Sequence, residues 1–62
     1  MTIGLQIFKA RDAAGLTQKQ LADMLGIKKQ SISDIECERR AISLKMIRRV
    51  ATALDTEFVI KP

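Results

Sequence analysis

Apolar residues recur along this chain at helical spacing in several short stretches, separated by glycine or by polar runs. Leu5 and Phe8, with Ile7 beside them, give an inward stripe in residues 3 to 13. Gly15 closes it, because glycine tolerates the left-handed conformation that follows a helix end. Thr17-Gln18-Lys19-Gln20 has the form of a capping box, in which the Thr17 hydroxyl accepts the Gln20 backbone N–H and the Gln20 side chain reaches back to the Thr17 N–H. The second helix therefore begins at Gln18, carries Leu21, Ala22 and Leu25 inward, and stops at Gly26.

A third helix runs from about Lys29 to Cys37. Laid out at ~100° per residue, it puts Ile32 and Ile35 on one side with Ser31 and Glu36 at the margins. Gln30, Ser33, Asp34 and Cys37 point the other way, a polar face with little charge that is unusual for a surface meant only for water. Ser43 caps a fourth helix whose inward face is Leu44, Ile47, Val50, Ala51 and Leu54, while Lys45, Arg48, Arg49 and Thr52 lie outside. Thr56 to Lys61 is rich in β-formers without a helical stripe and reads as a short terminal strand ending at Pro62. The expected fold is all-α with that one strand appended, and residues 1–62 form one domain without a repeat, linker or low-complexity tract.

A 47% hydrophobic chain of 62 residues can bury one core, but a core of that size supplies only roughly 3–5 kcal/mol of net stability. The usual staples are missing, since the lone Cys37 allows no internal disulfide and a chain without histidine offers no plausible zinc set. Self-association is the remaining support. No apolar run approaches the ~20 residues of a membrane span and no signal-peptide layout is present, so the expectation is a cytoplasmic protein with no membrane partner, metal or cofactor.

The formal charge of +4 favours a polyanionic partner, and its placement says more than its size. Seven of the eleven basic residues (Lys28, Lys29, Arg39, Arg40, Lys45, Arg48 and Arg49) lie between positions 28 and 49, offset only by Asp34, Glu36 and Glu38. With Phe8 and Phe58 as the only aromatics, a stacking platform for single strands is absent, which leaves duplex as the better ligand. An enzyme is disfavoured: there is no histidine, no glycine-rich phosphate loop and no nucleophile set beside a base.

Gly15-Leu16-Thr17-Gln18, followed by Leu21-Ala22, Leu25-Gly26, Ile32-Ser33, Ile35-Glu36 and Leu54, resembles the Cro and lambda-repressor family of helix-turn-helix proteins over nearly the whole chain. The resemblance implies a bundle of four or five helices with the third in the major groove of double-stranded DNA. It further implies a homodimeric transcriptional regulator, most simply a repressor. The sequence departs from the family pattern in three places. Lys28 stands where a Ser or Thr cap is common, Cys37-Glu38 replaces a frequent Asn-Gly or Arg-Gly, and Ile42 replaces a frequent Pro. The β-rich end is similar to the small antitoxin branch of the superfamily, in which a terminal strand pairs between subunits. That likeness admits an alternative reading, an antitoxin or adaptor with a toxin-like protein partner.

On this register Lys29, Gln30, Ser33 and Asp34 are the candidate base readers, and a glutamine at Gln30 suits adenine N6 and N7. Asp34 would accept from cytosine N4 and repel phosphates. Thr17, Gln18, Lys28, Ser31, Arg39 and Arg40 are the candidate phosphate contacts, though Thr17 also serves as a cap, and Lys28 and Lys29 are open to a merely solvated reading. Arg48 and Arg49 read as the wet side of the fourth helix, Cys37 as unreactive, and Met1, Met24 and Met46 as packing or start residues. Phe58, Val59 and Ile60 are the candidate dimer interface, and the resemblance places a structural ion pair between Arg11 and Glu36.

Overall fold

A computed structural model of the chain describes residues 1–60. Its elements are α1 (Ile3–Ala13), α2 (Gln18–Leu25), α3 (Lys29–Glu36) and α4 (Leu44–Ala53). Three of the four helices start on a hydroxyl cap: Thr2 accepts from the Leu5 N–H, Thr17 from Gln20 and Ser43 from Met46. The box at Thr17 is complete, since the Gln20 side chain also accepts the Thr17 N–H. Helix α3 alone begins without a side-chain cap, because Lys28 has no acceptor to offer.

All four helices end in the same way. Past each one a residue turns left-handed and two backbone N–H groups reach back to the last carbonyls, the Schellman arrangement. Leu16 N–H donates to Arg11 O and Ile27 N–H to Ala22 O after Gly15 and Gly26; Arg39 N–H donates to Asp34 O and Thr56 N–H to Ala51 O after Glu38 and Asp55. Glu38 at φ 60° and Asp55 at φ 51° hold a conformation that costs a side-chain-bearing residue roughly 1–2 kcal/mol. At Glu38 part of that cost is offset, because its carboxylate accepts the Gly4 N–H at 3.2 Å and so caps the start of α1.

The core joins Ile7 of α1, Leu21, Ala22 and Leu25 of α2, Ile32 and Ile35 of α3, and Val50 of α4. Ile3, Ile27, Ile42, Met46, Leu54 and Phe58 pack around it. Three residues expected to point inward fall elsewhere. Leu5 and Phe8 are over 40% exposed and the buried stripe of α1 runs instead through Gly4 and Ile7, because α1 crosses α3 at its smallest residue. Leu44 likewise lies exposed at the first turn of α4, where Ile47 and Val50 take the core positions.

The terminal strand expected at Thr56 to Lys61 does not form within the described residues: positions 56 to 60 carry no regular structure, and Lys61 lies outside them. The helical chain supplies no strand for it to pair with. Instead the Gln6 side chain takes both polar groups of Val59, donating from Nε2 to Val59 O at 2.8 Å and accepting the Val59 N–H at Oε1 at 2.7 Å. A carboxamide thereby does locally what a neighbouring peptide group does in a sheet.

The α1–α3 crossing is the tightest constraint on this packing. A Cβ added at Gly4 would lie 2.5 Å from the Ile35 carbonyl oxygen and 2.9 Å from that of Glu36, both backbone atoms that cannot rotate away. Gly4→Ala gains roughly 1 kcal/mol of helix propensity and is nevertheless expected to destabilise by about 1–3 kcal/mol through overpacking. Urea unfolding followed by circular dichroism checks this; a midpoint equal to or above wild type would show that α1 has room to shift.

Candidate nucleic-acid interface

The polar face of α3 is set in place by a carboxylate on its other side. Glu36 is nearly buried, with 4% of its side chain exposed, and accepts from Arg11 twice: Nε to Oε2 at 2.7 Å and Nη2 to Oε1 at 3.1 Å. Gln18, the first residue of α2, donates a third bond from Nε2 to Oε1 at 3.1 Å, and the remaining arm of Arg11 donates from Nη1 to Leu16 O at 2.7 Å. One carboxylate thus joins α1, the loop before α2, the start of α2 and the end of α3. The hydrogen bond to Glu36 raises the Arg11 pKa above its ordinary value, Coulombic attraction to Glu36 and Asp12 adds to it, and partial burial opposes it. The guanidinium also lies 5.3 Å from the Phe8 ring centroid, which gives that partly exposed aromatic a cation–π partner.

With Glu36 turned inward, the residues one step round the helix face out. Gln30 Nε2 donates to Asp34 Oδ1 at 2.9 Å, one turn along α3. The loop after α3 then folds its two arginines back onto the same surface. Arg39 donates from Nε to Asp34 Oδ1 at 3.1 Å and from Nη2 to Ser33 Oγ at 3.1 Å, and Arg40 donates from Nη1 to Ser31 Oγ at 3.1 Å. Hydrogen bonds from Gln30 and then Arg39 hold the Asp34 carboxyl below the usual carboxylate range. A depressed carboxyl contributes stability above its unfolded pKa and loses it as pH falls through the lowered folded value, so the bonds to Asp34 weaken in acid.

Of the residues expected to read bases, Gln30, Ser33 and Asp34 are brought into one hydrogen-bonded cluster, while Lys29 stands exposed beside them at the first turn of α3. Of those expected at phosphates, Ser31, Arg39 and Arg40 join the same surface and Lys28 is exposed at its edge. Thr17 is engaged as a cap. Gln18 turns its side chain inward to Glu36 rather than out, so what α2 offers an anion at this end is the backbone N–H pair of Gln18 and Lys19, which by helix geometry has no intrahelical partner. Cys37 is exposed.

Turn composition and spacing match a known arrangement. A family model described as helix-turn-helix covers residues 7–60. The chain belongs to the Cro/C1-type helix-turn-helix family. No curated protein matches the sequence. The helix-turn-helix unit is α2, the turn at Gly26-Ile27-Lys28, and α3; its left-handed residue is Gly26 at φ 69°, and Ala22 and Ile32 are buried where the two helices meet. The family is one of DNA-binding regulators, and no helix among the described residues is long and apolar enough to cross a membrane.

One supporting residue escaped the sequence. Arg49, expected on the wet side of α4, donates from Nη2 to the Leu25 carbonyl at 2.7 Å and so caps the last turn of α2 just before the helix-turn-helix turn. The contact crosses 24 positions, and nothing in local periodicity could reveal it.

Because Arg11 is only 11% exposed and Glu36 less, removing one partner leaves the other desolvated. Glu36→Ala is expected to cost about 3–5 kcal/mol, most of the stability of a domain this small. Arg11→Lys, which keeps the charge and loses the fork, is expected to cost less. Thermal melts of both variants test the ranking; a Glu36→Ala protein that melts with wild type would show that the carboxylate does not anchor α3.

Proposed function

We propose that this chain is a sequence-specific regulator of transcription, acting as a homodimeric repressor on an inverted-repeat site in double-stranded DNA. The observation that carries the reading is the α3 surface itself. Gln30, Ser33 and Asp34 form a compact polar face, and Arg39 and Arg40 stand beside it. Groove reading needs side chains that hydrogen-bond to base edges, and register needs cations on phosphates; here the two kinds lie side by side. Gln30 with Lys29 reads base edges, and Lys28, Arg39, Arg40 and the N–H groups at the start of α2 take phosphates. For Arg40 this exchanges a bond to the Ser31 hydroxyl for a stronger one to a charged phosphate, and Arg39 reaches phosphate with the guanidinium N–H groups that Asp34 and Ser33 leave free.

The two kinds of contact separate by experiment. Gln30→Ala should cost about 1–3 kcal/mol on the preferred duplex, relax preference at one base position per half-site, and leave affinity for random duplex nearly unchanged. Arg40→Ala should weaken both duplexes by similar factors and lower the salt-dependence slope by about one per subunit. Titrations against salt on both duplexes decide the matter, and the assignment of α3 as the reader is wrong when the two variants give the same pattern.

The dimer rests on the chain end. Val59 is 66% and Ile60 52% exposed, next to Met1 at the other terminus, while Phe58 packs against the core and anchors the segment. A second copy covering Val59 and Ile60 would supply the burial a domain of this size lacks, and would set two α3 helices on one face of the duplex with centres ~34 Å apart. The double variant Val59→Glu with Ile60→Glu leaves Phe58 in place and should sediment as a monomer with weakened DNA binding. An unchanged dimer would put the interface elsewhere.

A further inference from the structure

We infer that Asp34 is a positioning residue for base discrimination: its carboxylate fixes the order in which the Gln30 carboxamide presents donor and acceptor to the duplex. The inference rests on the reading of α3 as the base reader and adds a mechanism to it. A carboxamide on an exposed helix can turn by half a revolution and exchange its oxygen for its nitrogen at little cost, and in that state it satisfies several base edges about equally. Gln30 does not have that freedom. An ionised carboxylate only accepts, so the end of the amide that meets Asp34 Oδ1 at 2.9 Å must be the nitrogen, and Oε1 is held away from it. One Gln30 N–H is spent on Asp34. The second N–H and Oε1 remain, the donor–acceptor edge that adenine N7 and N6–H require.

The same oxygen also accepts Arg39 Nε at 3.1 Å, and Arg39 Nη2 is tied to Ser33 Oγ at 3.1 Å. Asp34 is therefore braced from both sides and cannot swing away without breaking a bond to a cation. Both shared bonds also keep it ionised, the state in which it can only accept. Its charge has a second effect: a carboxylate in the face that meets DNA opposes the phosphates and keeps Arg39 occupied, which lowers affinity for every duplex alike.

The test compares wild type, Gln30→Ala, Asp34→Asn and the Gln30→Ala/Asp34→Asn pair on duplexes that vary only the base pair relaxed by Gln30→Ala, and on random duplex. Asparagine keeps the shape of Asp34 but can donate as well as accept, so it no longer dictates which end of Gln30 faces it. Asp34→Asn should lower the ratio of affinities for adenine over the other bases at that position about tenfold, the loss expected for an unfixed bidentate contact. It should raise affinity for random duplex about threefold, since a carboxylate is lost and Arg39 is released. In the Gln30→Ala background it should lower the ratio no further. Asp34→Ala, which can neither donate nor accept, should show the same loss of discrimination.

An adenine ratio unaltered in both Asp34 variants, where Gln30→Ala relaxes it, overturns this inference and leaves the reading of α3 intact. A further loss of the same size in the Gln30→Ala background also overturns it, because Asp34 then contacts a base on its own account. A wild-type protein with no base preference at any position overturns the reading of α3 and this inference together.

Discussion

The orientation of α3 depends on a single carboxylate. Glu36 takes three hydrogen bonds, two from Arg11 and one from Gln18, on a side chain almost sealed from water. In that setting an unpaired charge is so unfavourable that the three groups must stay together, and with them the elements that carry them. A purely apolar contact between α1 and α3 would tolerate rotation of one helix about its axis; a forked guanidinium on a carboxylate does not. Rotating α3 by one residue would swing Glu36 out of reach and turn Gln30 and Asp34 away from the outer face. The pair therefore specifies which surface is presented more than it adds net stability.

Much of this frame was legible in the chain. The starts at Thr17 and Ser43 and the ends at Gly15 and Gly26 are local devices, complete within five residues, and the bonds found are those the residue types imply. So are the buried faces of α2 and α3. Legibility ended where the decisive partner is far away in sequence. The inward face of α1 is fixed by Gly4, whose meaning lies in the carbonyls of Ile35 and Glu36, and the left-handed Glu38 is tolerable because of Gly4 N–H, 34 positions earlier. Arg49 on Leu25 O belongs to the same class.

The polar face of α3 was legible as a set of residues and not as a circuit. Periodicity places Gln30, Ser33 and Asp34 together, and an i, i+4 pair is within the reach of such reasoning. That Arg39 and Arg40 fold back to Asp34, Ser33 and Ser31 depends on the turn at Glu38, which aims the chain along the helix it has just left. The terminal segment failed for a related reason. Its β-forming residues describe a willingness to pair, and within the described residues the chain holds no strand to pair with.

The clamp of Gln6 on Val59 changes what that segment can do to its surroundings. An apolar chain end becomes adhesive when it offers bare backbone along with its side chains, because the peptide groups recruit any neighbouring chain and then offer the next one the same template. At Val59 both peptide groups are already consumed within the molecule. At that position what remains outward is the side chain, and its shape selects, since an apolar surface gains much from a complementary partner and little from an arbitrary one. A glutamine on the first helix thus acts as a filter on association, admitting fitted contacts at Val59 while withholding there the pair of groups that a neighbouring strand would need.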